Sequence, residues 1–293
     1  MSNQPPYLPT GMGITNTVLL LSNNVSSGPY AWQLPQCSIS SNPYGGATGT
    51  YGLFNCIAIQ NGAISAVVWF YLPPGGQGIL LGIIGVQYPS TFFASASPLL
   101  YVGTNGSLYS ADWKGSGWNV STPNALTPGW HMAVYEEWAA STSGPYYLAL
   151  YLDGYFVTQS SSTSLPQLFG LNGPFPYNDI GTAEVGGGYP GTPYSGTSNY
   201  GWWFFNGNIA YVALYNRVLT TSDVLAIYQG IRITSGLVAE YIGNNYNVST
   251  GVWYDSSGNN YNASTVVAGQ YPPRGCTLWP VGDSGNWINW PTC

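Results

Sequence analysis

The sequence predicts an all-β sandwich, and three observations carry that prediction. Short runs rich in β-branched and aromatic residues recur along the 293 residues, turn chemistry separates them, and one segment alone carries a helix start signal. Residues 1–43 form an N-terminal strand or arm segment. The run Ala63-Ile-Ser-Ala-Val-Val-Trp-Phe-Tyr-Leu72 is a strand, ended by Pro73-Pro-Gly-Gly76. Residues 78–86 form the next strand, and Asn105-Gly106 marks a later turn. Trp130-His-Met-Ala-Val-Tyr135 follows, and then residues 146–158, where Asp153-Gly154 reads as the tight turn of a hairpin. A short helix is expected near 220–229. Thr220 serves as N-cap with Asp223 three residues on, Leu219 and Val224 occupy the staple positions, and Gly230 supplies the stop.

Four segments carry a resemblance: the 63–72 strand, Gly129-Trp-His-Met-Ala-Val134, Leu150-Tyr-Leu-Asp-Gly-Tyr155, and the stretch from Phe205-Asn-Gly-Asn-Ile-Ala-Tyr211 to Leu225-Ala-Ile-Tyr228. In this order the chain resembles the laminin-G-like, concanavalin-A-like jelly-roll family over roughly residues 44–230. The resemblance implies a jelly-roll β-sandwich and a role in adhesion or in glycan or protein binding. One departure stands out. Gly236-Leu-Val-Ala-Glu-Tyr241 and Trp253-Tyr-Asp-Ser-Ser-Gly258 look like the family's opening motif, yet they follow its closing motif. Residues 231–293 are therefore expected to form a disulfide-closed C-terminal β extension, packed on the sandwich or on a neighbouring subunit.

Only 5% of the residues are charged, 4 Lys+Arg and 10 Asp+Glu, against roughly 25% in an ordinary domain. The longest apolar runs, at residues 18–21 and 66–72, are far too short for a membrane helix. Disorder is excluded by a composition 45% hydrophobic and 16% aromatic. Four basic side chains cannot neutralise a nucleic-acid backbone. In strong acid the formal charge would move from −6 to about +5, the four Lys/Arg plus His131. A chain with so few carboxylates has little to lose by protonation, which points to an acidic exterior.

Cys37, Cys56, Cys276 and Cys293 lack metal-site spacing, and the sequence-local pairing, Cys37–Cys56 and Cys276–Cys293, closes two short loops. Each is worth about 3 kcal/mol in the chain-entropy model. N-x-S/T sequons at Asn24, Asn105, Asn119, Asn247 and Asn262 are candidate glycosylation sites. The N-terminus, Met-Ser-Asn-Gln-Pro-Pro-Tyr7, has neither a basic nor an apolar signal region.

Catalytic residues are not expected. Glu136 and Glu137 are adjacent, and neighbours on a strand point to opposite faces, so they cannot share one glycosidic bond. His131 lies inside a strand motif, and no G-x-S-x-G elbow accompanies it. Asp112, Asp153, Asp179 and Asp255 are scattered, and Asp153 belongs to the hairpin turn. No metal site is assigned, although calcium is the cofactor that the resemblance leaves open. Trp202, Trp203, Trp279, Trp287 and Trp290 offer either subunit contacts or sugar-stacking rings. In residues 202–205 both strand faces carry large rings, as in a strand covered on both sides.

The expected function is that of a non-enzymatic structural or surface protein. The leading expectation is an exterior jelly-roll subunit of a virion, or of an extracellular appendage of an acid-loving thermophilic archaeon. It would work through packing with its own copies or other particle proteins. The alternative is a secreted carbohydrate-binding or adhesion module with a surface glycan receptor. Neither nucleic acid nor a membrane span enters either reading.

Overall fold

The structure is a computed structural model that describes residues 17–21, 31–90, 96–194, 196–266 and 274–276. In chain order its elements are β1 (Thr17–Leu21), β2 (Trp32–Gln33), β3 (Gln36–Ile39), β4 (Gly49–Gly52), α1 (Leu53–Asn61), β5 (Ala63–Leu72) and β6 (Gly78–Ile84). Next come β7 (Ala96–Val102), β8 (Leu108–Trp113), β9 (Gly117–Ser121), β10 (Gly129–Ala139), β11 (Tyr146–Leu152) and β12 (Tyr155–Ser162). A 3-10 turn at Gln167–Phe169 precedes β13 (Tyr177–Ile180), β14 (Thr182–Gly187), β15 (Gly196–Phe204) and β16 (Gly207–Tyr215). The chain closes with α2 (Thr221–Tyr228), β17 (Leu237–Asn247), β18 (Val252–Asp255), β19 (Ala263–Thr265) and β20 (Arg274–Cys276).

The main strands form one hydrogen-bonded ladder folded back on itself. Its front limb runs β12–β11–β10–β5–β16, all antiparallel. Its back limb runs β9–β8–β7–β6–β13–β2–β19–β18. β17 turns the corner, pairing with β16 through Leu237–Ile242 and with β18 through Tyr246 and Asn247. β1 takes the remaining part of the β16 edge, at Leu19↔Ile209, and β20 pairs with β1. Strands from both ends of the chain thus belong to the sandwich of the same chain.

Side-chain alternation explains the layers. Ala66, Val68 and Phe70 of β5 enter the interior, with Tyr135 of β10 and Leu81 and Ile83 of β6. Val67 and Trp69 point the other way, into a second cluster under α2 with Met132, Val134 and Tyr211. β5 is buried on both faces, which is why it reads as a nearly continuous apolar run. A third cluster lies between the back limb and the β14–β15 hairpin.

α2 has the capping box expected from the sequence. Thr220 Oγ1 accepts from Asp223 N at 3.1 Å and Asp223 Oδ2 accepts from Thr220 N at 2.9 Å. The expectation of one helix was incomplete, since α1 is a second. Its residues 53–59 are all buried, so it has no polar face to show a 3.6-residue period. Its N-cap, Gly52, makes no side-chain cap hydrogen bond. A disulfide joins Cys37 of β3 to Cys56 of α1. No helix among the described residues is long and apolar enough to cross a membrane.

Candidate functional site at the loop pole

Antiparallel register sends four connections to one end of the sandwich. Leu72 faces Gly129, Gly78 and Leu108 both face Val102, Tyr109 faces Ser121, and Leu152 faces Tyr155. The β5–β6, β7–β8, β9–β10 and β11–β12 connections therefore share this pole. Between the first three lies a cleft of about 100 Å³, lined by Leu72, Gln77, Gly103, Thr104, Leu126 and Pro128 among others. Whole small-molecule sites usually measure about 300–1,000 Å³. This cleft is smaller than such a site.

Glycine backbone builds part of the cleft. A Cβ on Gly76 would lie 2.7 Å from Leu72 Cδ1 and 2.9 Å from Asn206 O, so no side chain fits there. Thr104 N donates to Gly191 O at 2.7 Å, and Leu126 N donates to Gly106 O at 2.8 Å. The second bond fixes the β9–β10 wall against the β7–β8 wall, and the first ties the β7–β8 wall to the segment after β14.

His131 ties the cleft wall to the neighbouring hairpin. Its Nε2 lies 2.8 Å from Thr127 O, and its Nδ1 lies 2.9 Å from Asp153 Oδ2. Both partners are acceptors, an arrangement in which the protonated imidazole can donate from both ring nitrogens. Burial opposes that charge, but the hydrogen bond and charge of Asp153 and the Thr127 carbonyl outweigh it and raise the pKa above the ordinary histidine value. Asp153 Oδ1 also accepts from Met132 N at 2.9 Å. Asp153 and Gly154 have φ of 50° and 86°, the left-handed pair that a two-residue hairpin turn requires.

The hairpin carries exposed rings. Tyr155 is 68% exposed and Phe156 48%. Phe156 packs edge-on to Tyr151 at 5.4 Å. Tyr228 of α2 covers Gly154, where a Cβ would come within 2.8 Å of its ring, and stacks on Trp69 at 5.6 Å. The exposed pair therefore stands on a packed aromatic base.

The residues singled out in the sequence are dispersed. Glu136 and Glu137 do face opposite ways. Glu136 Oε1 accepts from Ser65 Oγ and Leu219 N, both at 2.8 Å, beneath the entry to α2. Burial pushes its pKa up to about 7. Glu137 points into the sandwich and accepts from the Tyr135 hydroxyl. Asp112 is buried in the interior, Asp179 is buried on β13, and Asp255 is occupied by the N–H groups of Glu240, Ser257 and Tyr261. Among the described residues, no three His, Cys, Asp or Glu side chains gather as a metal site would require.

Trp202 is half-buried, its indole N–H donating to Ser90 O at 2.9 Å and its ring edge-on to Tyr88. Trp203 is only 8% exposed and packs near Tyr101, so it is a core residue and not a stacking platform. Asn105 and Asn262 are exposed, while Asn119 and Asn247 are half-buried. Asn105 Nδ2 donates to Tyr109 Oη at 2.8 Å. Asn24, Trp279, Trp287, Trp290, Cys293 and the Cys276 side chain lie outside the described residues. Sequence reasoning missed the pole cleft, whose only signal was glycine in the β5–β6 and β7–β8 connections and proline in the β9–β10 connection.

No protein-family model matches the sequence, and no curated protein matches it. Solved structures do. A putative carbohydrate binding protein from Bacteroides ovatus overlays with a TM-score of 0.51 at 14% identity, covering 85% of this chain. The fold is of the concanavalin-A-like jelly-roll class. That likeness supports the broad class and not the laminin-G-like family in particular. The chain spans 58% of the length of the Bacteroides protein. A heptameric SAP-like pentraxin from Limulus polyphemus matches at TM-score 0.41 and 11% identity, covering 73% of this chain and 82% of its own. The CBM40 of a Ruminococcus gnavus sialidase matches at 0.40 and 13%, covering 67% and 97%.

Proposed function

We propose that this chain is a non-enzymatic binding module of an extracellular surface, and that its loop pole takes a terminal group of a neutral glycan. The pole cleft carries the reading. It offers the side chains of Gln77 and Thr104, groups that match hydroxyls, at a pole whose β11–β12 hairpin bears the exposed ring of Tyr155. At the pole, His131 and Asp153 are committed to each other and to the backbone, which leaves no free acid–base pair there. The description of the Bacteroides structure as a putative carbohydrate binding protein agrees in kind. The Cys37–Cys56 disulfide favours an oxidising exterior.

A second reading, a packing subunit of a virion or surface appendage, is favoured by β12. This strand pairs with β11 along one side and has no charge or proline among its residues Tyr-Phe-Val-Thr-Gln-Ser-Ser-Ser, the devices by which edges usually resist pairing. A glycan array read together with size-exclusion chromatography separates the two. A monomer that binds neutral glycans, and loses them on Gln77→Ala, Thr104→Ala and Tyr155→Ala, supports the first reading. Self-assembly with no glycan bound overturns it in favour of the second.

A further inference from the structure

His131 reaches two parts of the loop pole at once. Toward the β9–β10 connection its Nε2 lies 2.8 Å from Thr127 O, and Thr127 stands between Leu126 and Pro128, which both line the cleft. Toward the β11–β12 turn its Nδ1 lies 2.9 Å from Asp153 Oδ2, two residues before the exposed ring of Tyr155. The connection is otherwise held by Thr122 N, which donates to Leu108 O at 2.9 Å, and by Leu126 N, which donates to Gly106 O at 2.8 Å. The bond to His131 is the tie between that second bond and the start of β10 at Gly129. Thr127 and Pro128 are themselves exposed, so this part of the wall meets water when released.

The two acceptors are unequal. Asp153 offers a carboxylate, which makes the stronger, charge-assisted bond, and Thr127 offers a neutral carbonyl. An imidazolium carries an N–H on each nitrogen and serves both. A neutral ring carries one N–H and serves one. The carboxylate then keeps the proton at Nδ1, and Nε2 turns a lone pair toward the Thr127 carbonyl. Two acceptors facing each other do not hold a loop.

We propose that His131 is a proton-operated clasp of the pole cleft: the protonated ring holds the wall of Leu126 and Pro128 in place for a ligand, and the neutral ring releases it. The regulatory role rests on the reading of this pole as a glycan site. Proton and ligand are then linked in both directions, since whatever the proton does for ligand affinity the ligand does for proton affinity. Burial of the ring opposes its charge, but the hydrogen bond and charge of Asp153 and the Thr127 carbonyl outweigh it and raise the pKa above the ordinary histidine value.

The clasp has a defined pH sign. It is closed below the ordinary histidine pKa of about 6.5 and opens as pH rises through the raised folded value. The surroundings leave His131 to set that transition. β5 presents the uncharged ring of Phe70, 5.8 Å away between centroids, and the β9–β10 connection presents the Thr127 carbonyl. Among the described residues Asp153 has no cationic partner besides His131. Tyr228 of α2 packs over the turn at Gly154, and burial pushes its hydroxyl up to about 12. Tyr155 follows in the chain and carries no cation.

Amide hydrogen exchange tests the clasp without any ligand. The Leu126 N–H, bonded to Gly106 O, reports on the β9–β10 wall, and the Thr104 N–H, bonded to Gly191 O, serves as reference on the β7–β8 wall. From about pH 5 to about pH 8.5, protection of Leu126 corrected for intrinsic exchange should fall about tenfold relative to Thr104. In His131→Gln, which cannot ionise, the ratio should stay constant. A constant ratio in the unmodified protein, or the same fall in His131→Gln, overturns the clasp. Should the variant not fold, 15N shifts of the unmodified ring decide: the Nδ1–H tautomer is expected above the transition, and the Nε2–H tautomer overturns the proposal. A neutral-glycan array read at about pH 5 and about pH 8.5 should lose about tenfold in signal at the higher pH. Equal binding at both overturns the regulatory role. Binding at neither overturns the glycan reading alone, because the exchange ratio judges the clasp.

Discussion

His131 donates to Asp153 from Nδ1 across 2.9 Å while its other ring nitrogen faces Thr127 O. One side chain thereby holds both the β11–β12 turn and the β9–β10 wall of the pole cleft. A neutral imidazole has a single N–H and can donate to only one of the two acceptors. The raised folded pKa gives the sign: the stabilisation is complete below the ordinary histidine pKa and is lost as pH rises through the folded value. Asp153→Asn keeps the left-handed turn within reach, since asparagine tolerates that conformation, but removes the charge. It should cost about 1.5–3 kcal/mol, the worth of a charged hydrogen bond. The histidine should then titrate at lower pH in 15N NMR spectra, and an unchanged titration would refute the clamp.

The capping box of α2 gives a second expectation. Thr220→Ala removes the acceptor for Asp223 N and should destabilise by about 1 kcal/mol. For a domain of this size the melting temperature falls by about 2–4 °C. Asp223 also binds Arg217 Nη1 at 2.9 Å, and Val224 and Ile227 stay buried. The helix should therefore remain folded, with unchanged circular dichroism below the transition.

The Cys37–Cys56 bridge closes a loop between residues 19 apart, worth about 3 kcal/mol by chain entropy. It also anchors α1, whose buried face includes Phe54 and Ile57. The double change of Cys37 and Cys56 to serine should lower urea stability by about that amount. Hydrogen exchange should accelerate first in β3, β4 and α1. Uniform acceleration across the sandwich would show that the bridge acts globally.

Why some of this was legible and some was not follows from period and distance. β5, β10 and the β11–β12 hairpin announce themselves because dense apolar runs end in Pro-Gly or Asp-Gly signals. α2 shows because its cap and staple fall within six residues, 219–224. α1 stays hidden because burial on every side erases the helical period. Glu136 and Glu137 could be assigned to opposite faces from strand geometry alone, but not to their partners. Leu219 reaches Glu136 through tertiary folding, 83 positions away along the chain. The charge deficit gains a structural meaning from those partners. Scarce carboxyls were expected to make the fold indifferent to acid. Asp112, Glu136, Glu137 and Asp179 instead have folded pKa values raised by burial, so at these four positions protonation favours the folded state.

Glu136 allows that statement to be tested at a single position. Its carboxyl is 1% exposed and accepts from Ser65 Oγ and Leu219 N. Those donors favour the anion, yet burial dominates and the folded pKa stands at about 7. The folded state thus binds a proton that the unfolded chain has released near pH 4.3. Stability from this group is complete below about pH 4 and declines until about pH 7, where the folded carboxyl ionises. Glu136→Gln keeps an acceptor for both donors and cannot ionise. Against the unmodified protein it should be nearly neutral at about pH 4, and by about pH 8 it should gain ~3 kcal/mol in urea unfolding. The gain should saturate above that pH, because the folded carboxyl is then already charged. A loss of stability at about pH 8 would instead mean that the anion is what holds Leu219 at the start of α2.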